Sequence, residues 1–174
     1  MKEISFFKSI IISTGVFAIS AVISSLIGKM IITDTVYFAL SADNSAAGFA
    51  DRISALKNAS EASLSQLLIL SLSGFSALSL AASSAVSMVR GVTFGYCTAI
   101  VERGVVSAAA FLPIGICYAF TSVAVIIYTA VTVSFSSSIR ENGLKVGQVS
   151  KYIAVFFTFS GIAVLSDGAR LLFV

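Results

Sequence analysis

The residues able to do acid–base, nucleophilic or metal chemistry are few and scattered along the chain. There is no histidine, so the commonest general base and metal ligand near neutral pH is missing. The two cysteines, Cys97 and Cys117, lie in separate apolar runs, and a disulfide framework or zinc site would need more and closer ligands. We therefore expect both to be small buried residues, and we predict no metal and no cofactor.

The acidic residues concentrate in one soluble-looking stretch, residues 33–63, which contains Asp34, Asp43, Asp51 and Glu61. Paired carboxylates could serve general acid–base catalysis, but no spacing here favours a pair, and a solvated acidic surface explains them. We predict no enzyme activity. Apolar residues at helical intervals between residues 49 and 59 fit a short amphipathic helix or, equally, a mobile loop.

The composition identifies the solvent of this chain as lipid. Of the 174 residues, 57% are hydrophobic and 11% charged, with a mean hydropathy of +1.02, whereas soluble domains carry about 25% charged residues. Basic residues occur singly, so no patch indicates nucleic-acid binding. The predicted fold is all-α, a polytopic membrane helix bundle.

The uncharged runs predict about five transmembrane helices in one integral membrane domain, residues 1–174. The loop 33–63 is expected to be exported, and the spans are expected at about 9–32, 64–84, 87–104, 113–136 and 152–172. The third span is the doubtful one, because only residues 91–101 separate Arg90 from Glu102 and a span needs about 20 residues. Four spans plus a re-entrant segment is the alternative.

The third span reaches full length if its helix begins near Ser87 and Arg90 snorkels to the inner membrane surface. On that helix Ser87, Gly91, Gly95 and Ala99 recur every four residues. Small residues at this spacing let another helix backbone approach closely, and three members of the row can share one contact. We predict that the row mediates helix packing.

A proline interrupts the longest uncharged run, residues 105–139. A straight helix of that length would be about 52 Å long, beyond a hydrocarbon core of about 30 Å. Pro113, which removes a backbone donor, is the predicted helix break, with the span beginning there. Asn142-Gly143 predicts a turn after the run, and Asp167 and Arg170 could face one another at the end of the last span.

The distribution of basic residues favours a cytoplasmic N-terminus and an extracytoplasmic C-terminus. With five spans, six basic residues face the cytoplasm and five face outside; the six are Lys2, Lys8, Arg90, Arg140, Lys145 and Lys151. Arg90, Arg140, Lys145 and Lys151 are the predicted topology charges of the inner loops.

Two segments resemble the stage II sporulation protein M family of endospore-forming bacteria: "VRGVTFGYCTAIV" and "AAAFLPIGICYAFTSVAVIIYTAVTVSFSSSI". In that family a basic residue or Asn followed by Gly, and a second Gly four residues later, precede a Leu-Leu-Pro element that opens a long span ending in serine and a basic residue. The matching positions are Arg90-Gly91, Gly95, Leu112-Pro113 and 138–140. Ile114 and Phe120 depart from the family, where a polar residue and a second proline are common.

The resemblance implies a non-enzymatic scaffold of the engulfment machinery in the bacterial cytoplasmic membrane, which holds peptidoglycan hydrolases at the septum. Its expected partners are the lipid bilayer, cell-wall hydrolases and a second copy of the chain; no nucleic acid or small-molecule substrate is indicated. The alternative is a membrane subunit of a transporter or permease, since Arg90, Glu102 and Arg103 flank a short segment and discontinuous helices often build transport sites.

Overall fold

The protein is a bundle of long helices. A computed structural model describes the backbone of residues 6–31, 49–104 and 108–169, and the side chains of residues 6–30, 60–104, 112 and 115–169. Within these ranges every element is an α-helix, and they are α1 (Phe6–Ile31), α2 (Phe49–Ser73), α3 (Ser79–Glu102), α4 (Ala108–Asn142) and α5 (Val146–Ala169). The predicted all-α class is confirmed.

Four stretches of helix are long and apolar enough to cross a membrane: Phe6–Met30, Ser79–Glu102, Gly115–Asn142 and Val146–Ala169. Large apolar side chains stand exposed along α1 and α5, among them Ile11, Met30 and Leu165. Exposed apolar surface of this extent suits lipid rather than water as the solvent. The chain is a multi-pass membrane protein.

The connection between α2 and α3 lies earlier than the sequence predicts. The second span was expected to end near residue 84, but the helix ends at Ser73 and the next begins at Ser79. The Ser76 hydroxyl accepts a hydrogen bond from the Leu78 amide, 3.1 Å away, which supports the turn. A Cβ on Gly74 would lie 2.4 Å from the Tyr152 hydroxyl oxygen, so a side chain at this turn would displace Tyr152.

The early turn removes the difficulty with the third span. α3 has 24 residues and is therefore about 36 Å long, enough to cross a hydrocarbon core of about 30 Å. Residues 91–101 are the second half of this helix. The alternative of a re-entrant segment here is wrong, because a serine-rich first half supplies the missing length.

The second half of the predicted exported loop 33–63 is helical. Residues 49–63 form the first part of α2, so residues 49–59 are helical and not a loop. Residues 32–48, which include Asp34 and Asp43, lie outside the described residues.

The helix break predicted at Pro113 is wrong, since α4 continues through it for 35 residues. Proline six residues into a helix removes only one hydrogen bond, close to the end where backbone amides are already without partners. α4 ends instead at the predicted Asn-Gly turn. The Gly143 amide donates to the Ile139 carbonyl at 2.9 Å, and Gly143 has a φ of +73°, which glycine adopts without steric cost.

α4 is the centre of the bundle and contacts each of the other four helices. Most of its middle is buried, as at Thr121, Val125, Tyr128 and Thr132, while Phe120 and Val123 on another side are exposed. α4 therefore forms the core against which the other helices are arranged.

Candidate functional site: a buried arginine between three helices

Arg90 lies inside the bundle and not at a membrane surface. It is the twelfth of the 24 residues of α3, about 17 Å from either end of the helix, and its side chain is 1% exposed. The predicted snorkelling of Arg90 to the inner surface is therefore wrong. The prediction fails because α3 begins early, at Ser79, so that residue 90 lies at the middle of the helix.

Two polar side chains of α2 accept hydrogen bonds from the guanidinium group of Arg90. Arg90 Nε donates to Gln66 Oε1 at 2.7 Å, and Arg90 Nη2 donates to Ser63 Oγ at 3.0 Å. Residues three apart on a helix share one face, so Ser63 and Gln66 present their oxygens together. The planar fork of an arginine is suited to such a pair of acceptors.

α4 contributes the third side of the site through Tyr118. The Tyr118 hydroxyl donates to the backbone carbonyl of Arg90 at 3.1 Å. The guanidinium carbon lies 5.6 Å from the centre of the Tyr118 ring, within the range of a cation–π interaction. Ser63, Gln66, Arg90 and Tyr118 thus join α2, α3 and α4, and we call these four residues the buried arginine cluster.

The chemistry of the buried arginine cluster is that of binding and orientation. An arginine in a protein stays protonated, so the cluster holds a fixed positive charge at the depth of the middle of α3. The other members are two hydroxyl groups and an amide, none of which accepts a proton near neutral pH. Among the described residues no three His, Cys, Asp or Glu side chains come together as a metal site would require.

The small-residue row of α3 lies against α1. A Cβ on Gly91 would be 2.3 Å from the Phe17 carbonyl oxygen, and one on Gly95 would be 2.0 Å from that of Ala21. Since residue numbers increase together along both helices, α1 and α3 run parallel. Their backbones touch where the two glycines are.

The other members of the row are also buried, Ser87 at 1% and Ala99 at 0% exposure. Ala99 meets Gly28 of α1, where an added Cβ would lie 2.9 Å from that of Ala99. Beside the row, the Ser24 hydroxyl donates to the Val92 carbonyl at 2.8 Å. Gly91, Gly95 and Ala99 thus share one contact with α1.

The remaining predicted topology charges lie together at one end of the bundle. Arg140, Lys145 and Lys151 are exposed at the end of α4, in the following turn and near the start of α5. At the opposite end, Lys29 of α1 forms an ion pair with Glu102 of α3.

Two buried polar residues of α5 were not identified as such from the sequence. The Tyr152 hydroxyl lies 3.3 Å from the Leu70 carbonyl oxygen and 3.2 Å from that of Ser71. It donates a hydrogen bond to these carbonyls at the end of α2. Asp167 is fully buried, whereas the sequence placed it at a membrane edge; Arg170 lies outside the described residues. For Asp167 the available signal was a charged residue within an apolar helix.

Comparisons of the chain with protein-family models, with curated proteins and with solved structures found no match. The resemblance to the stage II sporulation protein M family therefore rests on the sequence motifs and stays a prediction.

Proposed function

We propose that the chain is a non-enzymatic membrane scaffold of the sporulation engulfment machinery, located in the bacterial cytoplasmic membrane, where it holds peptidoglycan hydrolases at the septum. The observation that carries the scaffold role is a set of interior hydrogen bonds that join one helix to another. The sporulation setting and the partners come from the resemblance of the motifs at residues 89–101 and 108–139.

The polar contacts between helices recur from one end of the bundle to the other. Near the α2–α3 turn, the Ser136 hydroxyl donates to the Ser76 carbonyl at 2.6 Å, and in the middle the buried arginine cluster joins three helices. Near the start of α4, the Ser166 hydroxyl donates to the Cys117 carbonyl at 2.8 Å. Contacts of this kind hold a rigid framework together and leave its outer faces for partners.

The outer faces of α1 and α5 are the surfaces proposed for partner helices. On α5, Phe157 is 68% and Leu165 76% exposed, and on α1, Ile19 is 63% exposed. In lipid, apolar exposure alone does not drive association, so a partner would need close packing or a polar contact with these faces.

The proposed orientation places the α4–α5 turn and the N-terminus in the cytoplasm. Burial of Arg90 reduces the inner count of basic residues from six to five, equal to the outer count, so the total no longer favours either orientation. Arg140, Lys145 and Lys151, however, lie within twelve residues of one short connection, and basic residues in short loops carry the strongest topology signal.

Site-specific photocrosslinking in the native host during sporulation tests the scaffold. A photoreactive amino acid at Phe157 or Ile19 samples the outer faces, and the same group at Val125, which is 1% exposed, is the matched interior control. We expect peptidoglycan hydrolases, or the membrane proteins that carry them, to be captured from the outer positions alone. Capture that does not exceed the Val125 control would reject the scaffold.

The second candidate is a transporter subunit, and Arg90 is the observation that favours it. Charged residues inside membrane helices commonly mark substrate or ion pathways. A transporter predicts that Arg90→Lys stops solute or ion flux in proteoliposomes while the protein stays folded, and that photocrosslinking captures an ATPase or a solute-binding protein. The scaffold predicts no flux in either protein.

A further inference from the structure

An apolar groove opens at the end of the bundle that carries the basic turn, between α4, α5 and the start of α1. Its volume is about 340 Å³, within the range of small-molecule sites. The α4 wall consists of Val131, Ser134, Phe135 and Ser138. These positions follow a spacing of three, four and seven residues and so form one face of the helix, about 10 Å long.

The α5 wall repeats the same spacing with Gln148, Lys151, Tyr152 and Val155. On the α5 wall Gln148 and Lys151 lie toward the α4–α5 turn and Val155 lies deeper in the membrane, and on the α4 wall Ser138 is nearest the turn and Val131 is deepest. At the turn end, Gln148 Nε2 donates to the Ser138 hydroxyl at 3.3 Å and joins the two walls. The groove therefore has a polar mouth, with a lysine beside it, and an apolar interior.

The charge around this mouth is positive. Among the described residues at this end of the bundle, Lys8, Arg140, Lys145 and Lys151 carry positive charges and Glu141 carries a negative charge. A ligand that fits both the mouth and the interior needs an anionic head and an apolar tail. Basic residues beside the end of a membrane helix bind anionic lipid headgroups in this way.

We propose that the groove holds an acyl chain of one anionic phospholipid, with its phosphate against Lys151. The occupant enters sideways from the surrounding bilayer, since the groove lies on the outside of the bundle. This inference goes beyond the proposed function and does not depend on it, because a scaffold and a transporter would bind the lipid equally.

The test uses two adjacent phenylalanines and the absence of tryptophan from the natural chain. Phe6 lines the groove and is 37% exposed, whereas its neighbour Phe7 is 75% exposed. Phe6→Trp therefore places a single fluorophore at the groove, and Phe7→Trp places the matched control at the same end of α1, in general contact with lipid. Both full-length variants are reconstituted in zwitterionic bilayers that contain increasing fractions of a brominated phospholipid, which quenches nearby tryptophan.

With a brominated anionic phospholipid we expect half-maximal quenching of Phe6→Trp at a mole fraction about fivefold lower than for Phe7→Trp. One basic residue near the membrane surface increases the affinity for an anionic lipid by about this factor. A brominated zwitterionic phospholipid should quench the two alike. Adding Lys151→Gln to Phe6→Trp should abolish the preference, while Lys145→Gln, in the turn and outside the groove wall, should preserve most of it.

Three results would overturn the proposal. Equal quenching of both variants by the anionic lipid would show that the groove does not select it, and an unchanged preference after Lys151→Gln would remove the phosphate contact. Resistance of Phe6→Trp to both brominated lipids would mean that protein fills the groove, either a second copy or another part of this chain.

Discussion

Replacement of Gly95 by alanine tests whether the α1–α3 contact depends on the absence of a side chain. The new Cβ would lie 2.0 Å from the Ala21 carbonyl oxygen, whereas ordinary contact begins at 3.4 Å. The obstacle is backbone and cannot rotate away, so α1 must move by about 1.4 Å at this point. Overpacking of this kind costs about 1–3 kcal/mol, and we expect Gly95→Ala to be less stable by that amount than a glycine-to-alanine variant of α1 that meets no clash.

Gly15→Ala is the matched control, because an added Cβ at Gly15 in α1 meets no atom within 4 Å. Both substitutions carry the same gain in helix propensity, at most about 1 kcal/mol, so the difference between the variants isolates the steric cost. Gly91→Ala should resemble Gly95→Ala. The double variant should cost less than the two combined, since one displacement of α1 relieves both clashes.

The assay is unfolding in mixed micelles with increasing sodium dodecyl sulfate, followed by circular dichroism of the full-length protein. Replacing both glycines by leucine should prevent assembly of the bundle or reduce its stability further. If Gly95→Ala and Gly15→Ala unfold at the same detergent fraction, the close approach of the two backbones is refuted.

Two further predictions concern the buried arginine cluster and the orientation. Gln66→Leu should destabilise the protein by about 1.5–3 kcal/mol because Arg90 loses an acceptor, and Gln66→Leu combined with Arg90→Met should recover part of that loss; additive costs in the same unfolding assay would exclude the coupling. With an extracytoplasmic C-terminus, a reporter active only in the cytoplasm should be silent when fused to Val174, and a strong signal there would reverse the proposed topology.

The course of α3 shows why the sequence was only partly informative about this fold. Twenty-six uncharged residues from Leu64 to Val89 contain no proline or charge that marks a boundary, and Gly74 was the available signal for a turn at 74–78. Tertiary contact resolves the ambiguity, because the Tyr152 hydroxyl occupies the space beside Gly74. Placement of Arg90 depended entirely on that boundary.

Local pattern and composition determined the helical, membrane-embedded class of this protein and the existence of a small-residue row on α3, because both depend on residue type and helical period alone. Only the tertiary structure decided which helix the row meets, since the α1 backbone at Phe17 and Ala21 is distant in sequence. It also turned Arg90 from an expected surface charge into an interior one, because its acceptors Ser63 and Gln66 lie on a different helix and become neighbours only when the bundle packs.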